Sequence, residues 1–465
     1  MLAAFANTFR IPDLRKRILF TVGLVFICRL VSMVPTPGVN WHALSAAMDR
    51  MREANGGGGL MGWFDVFSGG AMSQCSVGFL SIWPYISATI VIQLMTAVVP
   101  TLERLSREGD TGRAKINQYA RYLTLIICVF QSYLLAAGLD NSNTLKQFGI
   151  NVPLVDPSFC GLPFRLLTVL TMTTSTMFVV WLGDQITVRG IGNGSSVVIM
   201  VNICSRLPSA INVAWQRYFS TGGESVFELL LLLLLGFAVI MGTVMLTQGL
   251  RKIPIHSTKR AVGTKQYGGQ STYMPLRVNY SGVMPIIFAQ PLITFSGAAL
   301  KRINPDAFSG KALHGCMSGL QSFGDSLGNP GTPLHIGCYA VLIFFFSFFW
   351  VATQFNAMRI ADDLKRNGSY IPGIRPGMAT AEHLDMVMTR VTFFGALGLL
   401  TVAIVPQVLD GLFKIPWAIS SFFGGSSLLI IVGVALDTLR QMESHLLMRN
   451  YDGFLKYGRL QGRKM

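Results

Sequence analysis

The chain is 465 residues long, 51% hydrophobic and only 13% charged. Ordinary soluble domains carry about 25% charged residues, so the composition argues against a soluble enzyme, and apolar content this high excludes a disordered chain. The 38 Lys and Arg against 22 Asp and Glu leave a formal charge of +16, as in a membrane protein with basic surfaces.

A spanning helix needs about 20 mainly apolar residues. Ten stretches qualify in chain order, at 18–34, 76–98, 119–138, 164–183, 191–212, 225–247, 279–300, 336–357, 387–406 and 417–437. The expected fold class is therefore all-α, a polytopic membrane protein of ten transmembrane helices. The sixth stretch holds the unbroken run Leu229 to Leu235. The second, fifth, seventh and tenth contain Pro, Gly, Asn or Ser; such weak spans belong among other helices or along an aqueous path, because polar groups are costly against lipid.

Residues 1–17 are basic through Arg10, Arg15, Lys16 and Arg17. The apolar stretch after them runs into Arg29 and Val34-Pro35-Thr36-Pro37-Gly38 without an A-x-A-type cleavage site. It reads as a retained helix with its N-terminus in the cytoplasm. Of the basic residues, 25 fall in the connections that this topology assigns to the cytoplasm and 9 on the opposite side, a bias that places both termini inside. Ten spans also divide into two halves of five, 1–212 and 213–465, and an odd-numbered repeat must insert upside down, about a pseudo-two-fold axis in the membrane plane.

Several chemistries find no residues. Cys28, Cys75, Cys128, Cys160, Cys204, Cys316 and Cys338 are scattered without C-x-x-C or Cys/His clusters, so neither a metal site nor a disulfide framework is expected. No P-loop, H-E-x-x-H or G-x-S-x-G motif occurs, and no cofactor is expected. No Asp, Glu or His lies near the middle of a span: Asp184, Glu228 and Asp437 sit near span ends. Ion-coupled transporters normally place ionisable groups there, so anything driven through this protein takes its energy from another molecule.

The motifs follow in order. Phe67-Ser68-Gly69-Gly70-Ala71-Met72-Ser73 comes after the run Gly56-Gly57-Gly58-Gly59, amid Leu60, Met61, Trp63 and Phe64. It reads either as an interfacial aromatic belt or as a re-entrant piece shielded by protein. In Ser81-Ile82-Trp83-Pro84-Tyr85-Ile86, the two isoleucines four apart share a helix face, which by itself fits lipid contact or core. Glu103 and the stretch Gly109-Asp110-Thr111-Gly112-Arg113-Ala114-Lys115 form a polar turn. Trp181-Leu182-Gly183-Asp184-Gln185 and Arg189-Gly190-Ile191-Gly192-Asn193-Gly194-Ser195 precede the fifth span, and the glycine spacing is not that of a dinucleotide site. Gln270-Ser271-Thr272, Pro275-Leu276-Arg277-Val278-Asn279 and Gly282-Val283-Met284-Pro285 lead into the seventh. Ile371-Pro372-Gly373-Ile374-Arg375-Pro376-Gly377 and Phe423-Gly424-Gly425-Ser426-Ser427-Leu428-Leu429-Ile430 complete the set.

In this order these segments resemble the SecY family, the central subunit of the Sec protein-translocation channel, over nearly the whole chain to about Tyr451. The least family-like part is the spacer 301–335, which resembles a variable outer loop. The resemblance implies two inverted five-helix halves around an hourglass pore: a cytoplasmic segment 1–17, an N-terminal half 18–212, a C-terminal half 213–437 and a cytoplasmic tail 438–465. It implies a re-entrant plug within about 60–74, with Met61, Phe64, Phe67, Ser68, Gly69 and Gly70. It gives a pore ring of Ile82, Ile86, Ser195, Ile199, Ile287 and Ile430. Ser195 departs from the aliphatic residue usual at its position, with Val197 as the alternative occupant.

Gln93 resembles a lateral-gate residue in contact with an entering signal sequence, and a plain interhelical hydrogen bond reads equally well. The loops 248–278 and 358–386 resemble the docking sites for a motor ATPase or the ribosome, through Arg251, Lys252, Lys259, Arg260, Lys265 and Arg375. The same charges also fit plain positive-inside bias, while contact with ribosomal RNA phosphate would be salt-sensitive. The implied partners are SecE-like and SecG-like small membrane subunits, a SecA-like motor, the ribosome, signal sequences and membrane lipids; the implied place is the bacterial plasma membrane. The implied function is passage of unfolded secretory proteins and sideways release of transmembrane segments, without enzymatic activity. A secondary transporter of a small solute is the alternative reading.

Overall fold

The computed structural model describes residues 11–45, 65, 68–140, 155, 161–220, 226–257, 260–262, 265–267, 271–301, 311–328, 332–413, 419 and 425–457. A helix stands in each of the ten predicted stretches. Among the described residues six helices are long and apolar enough to cross a membrane, or seven if the pair Trp83–Thr96 and Pro100–Ser106, bent by 103°, is one span.

The chain forms two compact units, one of Met1–Gly57, Met61–Ser209 and Ile430–Met465, the other of Gly58–Leu60 and Ala210–Leu429. The first contains α1 (Pro12–Met33), α2 (Trp83–Val98), α3 (Pro100–Arg107), α4 (Asp110–Asp140), α5 (Leu162–Arg189) and α6 (Gly194–Cys204). Pro12, Pro84, Pro100 and Pro163 stand in the first turns of their helices, where a missing N–H leaves no bond unmade.

Two ion pairs fix the antiparallel register of α4 and α5. Arg165 meets Asp140 at 2.8 Å at one end, and Arg121 meets Asp184 at 2.8 Å at the other. These pairs give partners to two of the arginines that the sequence leaves inside apolar spans. Some hydroxyls within the helices return their protons to their own backbone, as Thr124 does to the Ala120 carbonyl at 2.7 Å.

After α7 (Leu207–Trp215) and a π-helical turn, Gln216–Ser220, the second unit continues with α8 (Val226–Gln248), α9 (Met284–Lys301), α10 (Lys311–Gly328), α11 (Pro333–Gln354), α12 (Ala357–Arg366) and α13 (Met378–Phe413). Phe288 ties α9 to α11 through the rings of Phe346 and Trp350, at 5.6 and 6.1 Å between centroids. The last helix, α14 (Gly425–Tyr457), begins among the residues of the second unit and ends among those of the first.

Between α8 and α9 the chain forms strands β1 (Leu250–Ser257), β2 (Arg260–Val262), β3 (Lys265–Tyr267) and β4 (Ser271–Arg277), and β5 (Ser369–Tyr370) follows α12. The sheet order is β4-β1-β5, all antiparallel, with β2 paired to β3. Ile253 and Ile255 are buried while Lys252 and Pro254 alternate outward, the period-two pattern of a strand with one covered face.

Several boundaries differ from expectation. Residues 76–82 form turns, not the start of the second span: Cys75 and Ser81 have φ of 44° and 48°, and helix begins only at Trp83. The polar turn expected around 103–119 is helical in α3 and in the first turns of α4, because backbone bonding continues past the apolar window. The fifth span is two helices, broken at Ser205 and Arg206. The spacer 301–335 carries α10, which packs so closely on α9 that a Cβ on Gly297 would come within 2.8 Å of the Gly328 nitrogen. Helix α14 runs well beyond residue 437.

Candidate functional site

The ring positions of the first unit are assembled around Gly183 and α6. Ile82 caps the N-terminus of α2, and the Ile86 amide donates to its carbonyl at 3.1 Å. A Cβ built on Gly183 would lie 3.7 Å from Ile82 Cδ1 and 3.6 Å from the Ser195 nitrogen, so Ile82 and the start of α6 meet over one glycine. Ser195, Ile199 and Asn202 are spaced four and three apart and share one face of α6. At the end of that face Asn202 Nδ2 donates to Ser81 Oγ at 2.8 Å, which sets it against the residue before Ile82. Ile82, Ile86, Ile199 and Ile430 are all buried, as is Val197. Ile430 is on α14, where eleven residues later Gln441 accepts from the Gly192 amide at 2.8 Å; eleven residues are about three turns, so the two lie along one helix face. Ile287, in the second unit, is buried in α9.

Ser195 is half-buried, and its hydroxyl donates to Asn193 Oδ1 at 2.7 Å. The one polar side chain among the predicted ring positions thus has its donor satisfied by a neighbour, which removes the free donor that would otherwise attract water.

Helix α6 is held at its start by backbone contacts. The Gly194 amide donates to Thr187 Oγ1 at 2.8 Å, and the Ile191 amide donates to Thr21 Oγ1 at 3.1 Å. Gly194 crosses the backbone of Gly183 so closely that an added Cβ would collide with the Gly183 carbonyl. Gly194→Ala is therefore expected to destabilise the protein by about 3 kcal/mol, since backbone atoms cannot step aside as side chains do. Gly138→Ala, which meets open space, is the control, and thermal unfolding in detergent is the measurement.

The segment before α2 is fastened by polar groups. Asp65 pairs with Arg206, and its Oδ1 accepts from the Ser73 amide at 3.2 Å. Arg29 of α1 donates to the Gly69 carbonyl at 3.2 Å and to Asn202 Oδ1 at 3.5 Å, while Ser205 Oγ donates to the Gly69 carbonyl at 3.2 Å. Gly69 adopts φ +65°, and a Cβ there would lie 2.9 Å from the Asn202 carbonyl. Ser68 is buried and its Oγ accepts from the Met72 amide at 3.3 Å. Thr36 caps the far side, its hydroxyl donating to the Cys75 carbonyl at 2.6 Å. Burial pushes the Cys75 thiol up to about 12, so it is a neutral packing group.

Of the residues predicted for this segment, Met61, Phe64 and Phe67 lie outside the described residues, while Ser68, Gly69 and Gly70 fall within the polar set. Gln93 is exposed on α2. The sequence reading missed Arg29, Asp65, Asn202, Ser205 and Arg206. Its one available signal was the pair of arginines, one inside and one at the end of an apolar stretch, where a charge requires a partner.

The basic loops meet in the β4-β1-β5 sheet. Arg251 and Lys252 are exposed on β1, and Lys252 Nζ stands 4.8 Å from the centre of the Tyr273 ring. Arg260 and Lys265 occupy β2 and β3, opposite Tyr267 and Val262; Lys259 lies outside the described residues. Ile371 is buried and Ile374 packs with it against Ile253, Leu276 and Leu384, while Arg375, next in the chain, is exposed to solvent. The Thr380 hydroxyl donates to the Arg375 carbonyl at 2.8 Å and fixes the turn from behind. Among the described residues no three His, Cys, Asp or Glu side chains gather as a metal site.

The model of the family described as SecY matches residues 76–439. The protein translocase subunit SecY of Thermotoga maritima is 38% identical over 465 residues, covering all of both chains. The chain belongs to the SecY family. The subunit of the same name from Streptomyces scabiei is 40% identical over 458 residues, 98% of this chain and all of that one. Three solved structures share the fold, each over 93% of this chain and 92% of theirs. One is described as a protein conducting channel (15% identity, TM-score 0.56). A second addresses the plug domain of the SecY protein, which stabilises the closed state of that channel and maintains a membrane seal (16%, 0.55). The third is Sec61 in a canine ribosome-channel complex (14%, 0.52).

Proposed function

We propose that this SecY-family chain is the pore-forming subunit of a protein-translocation channel, passing unfolded secretory proteins across the membrane and releasing apolar segments sideways. The observation that carries this reading is the aliphatic set Ile82, Ile86, Ile199 and Ile430, buried in the first unit, with the Ser195 hydroxyl donating to Asn193 Oδ1. Branched apolar side chains offer an ion no substitute for its hydration shell, so a narrow ring of them resists wetting. They also form no strong hydrogen bonds, so a polymer of any sequence slides past. In this reading Ile287 is a ring residue as well, and the segment that includes Ser68, Gly69 and Gly70 is the plug. Gln93 contacts the signal sequence at a lateral gate.

The energy comes from outside the chain, which performs no catalysis itself. Arg375, Arg251, Lys252, Lys259, Arg260 and Lys265 form the docking face for a SecA-like motor or the ribosome, and SecE-like and SecG-like subunits brace the channel. Both termini and the docking face lie in the cytoplasm, and the membrane is the bacterial plasma membrane. Two inverted halves, 18–212 and 213–437, provide the hinge. The transporter alternative draws no support from any of the relatives.

The test is crosslinking. A stalled secretory precursor is expected to crosslink to cysteine introduced at Ile86 and not at Val91, which lies on another face of α2 and is exposed. Equal labelling at both positions, or at neither, would remove the pore from this face.

A further inference from the structure

Among its described residues, the segment read as the plug is held by charge as well as by the apolar packing of Met72. Asp65, with a side chain only 5% exposed, meets the guanidinium of Arg206, itself 23% exposed. Asp65 also shapes the segment: its carbonyl accepts from the Gly70 amide at 3.0 Å and from Ser68 Oγ at 3.3 Å, and its carboxylate caps the Ser73 amide. Arg206 donates to Ser73 Oγ at 3.4 Å as well. Arg206 sits in the turn where the fifth span breaks between α6 and α7, four residues beyond Asn202, which shares the face of Ser195 and Ile199. Arg29, from α1, reaches the same loop through the Gly69 carbonyl and joins it to Asn202.

Resting on the plug reading, we propose that the Asp65–Arg206 ion pair, braced by Arg29, is a latch that positions the plug on the fifth span, and that parting this pair is a discrete step in opening. The pair is strong while water is excluded and weak once the segment lifts and solvent enters, because attraction falls as the local dielectric rises. This difference makes the seat two-state: closed and tightly held, or open and hardly attracted back. The turn that ends α6 carries Arg206, seven residues after Ile199, so a chain that displaces Ile199 and its helix strains the latch.

The test uses the complete translocon in planar bilayers. Asp65→Asn and Arg206→Gln are each expected to raise resting ion conductance about tenfold or more, because one charge is left without its counterpart. Exchanging the charges, Asp65→Arg with Arg206→Asp, is expected to restore most of the seal. Deletion of 65–73 separates the two levels of the argument. If the deletion leaves conductance unchanged, the plug reading fails and the latch with it. If the deletion leaks while Asp65→Asn and Arg206→Gln stay sealed, the plug stands and the latch is overturned. If the single variants fail to accumulate, the exchanged pair decides: a complex that assembles normally and seals supports the latch, and one that leaks as the deletion does removes it.

Discussion

An Ile86→Asn channel is expected to leak ions at rest. Ile86 is buried one helical turn after Ile82, on the side of α2 that faces the start of α6. An amide at that position is stable only when hydrated, so the wetted state gains about 1–3 kcal/mol over the dry one, a factor of roughly 5 to 150 in its population. Resting conductance in planar bilayers should rise in that range. Ile287→Asn should act in the same direction, and Val91→Asn should change nothing. Parental conductance in both isoleucine variants would sink the aliphatic-ring reading.

Arg375→Glu is expected to stop motor-driven export while the subunit still inserts and assembles. The side chain stands on a turn whose neighbours Ile371 and Ile374 are packed into a core, and whose backbone Thr380 secures. Its removal therefore costs the fold little. Reversing a charge that is desolvated on docking costs about 2–5 kcal/mol of binding, or roughly 30-fold or more in complex formation. ATP-dependent uptake of a precursor into vesicles is the measurement. Arg375→Lys should retain part of the activity, since the charge survives but the planar fork of donors does not. A normal rate with Glu would take Arg375 off the docking face.

Much of this was legible because membrane helices declare themselves locally. The run Leu229 to Leu235 needs no context, and α8 contains it. Residues 76–82 misled because their apolar content promised helix, whereas their conformation follows from a distant neighbour: a Cβ on Gly78 would meet the Ser32 Cα of α1 at 3.1 Å. The sheet had a visible signature in Ile253 and Ile255, two apart in a stretch read only for its charges. Asp65 and Arg206 were illegible as a pair, being 141 positions apart, and nothing in either one's local sequence names the other. Ser195 was legible as a departure from the family pattern, but not its remedy, since whether Asn193 accepts its proton depends on the geometry of the helix start.

The pairing of β5 with β1 rests on two residue pairs, His256 with Tyr370 and Ser257 with Ser369. Because of it, two stretches more than a hundred positions apart behave as one rigid handle. A visiting protein that grips both finds their mutual geometry already set, so the ordering entropy that usually weakens loop-mediated association was met when the chain folded. A push on either stretch should then arrive at both α9 and α13, the helices into which the handle is rooted.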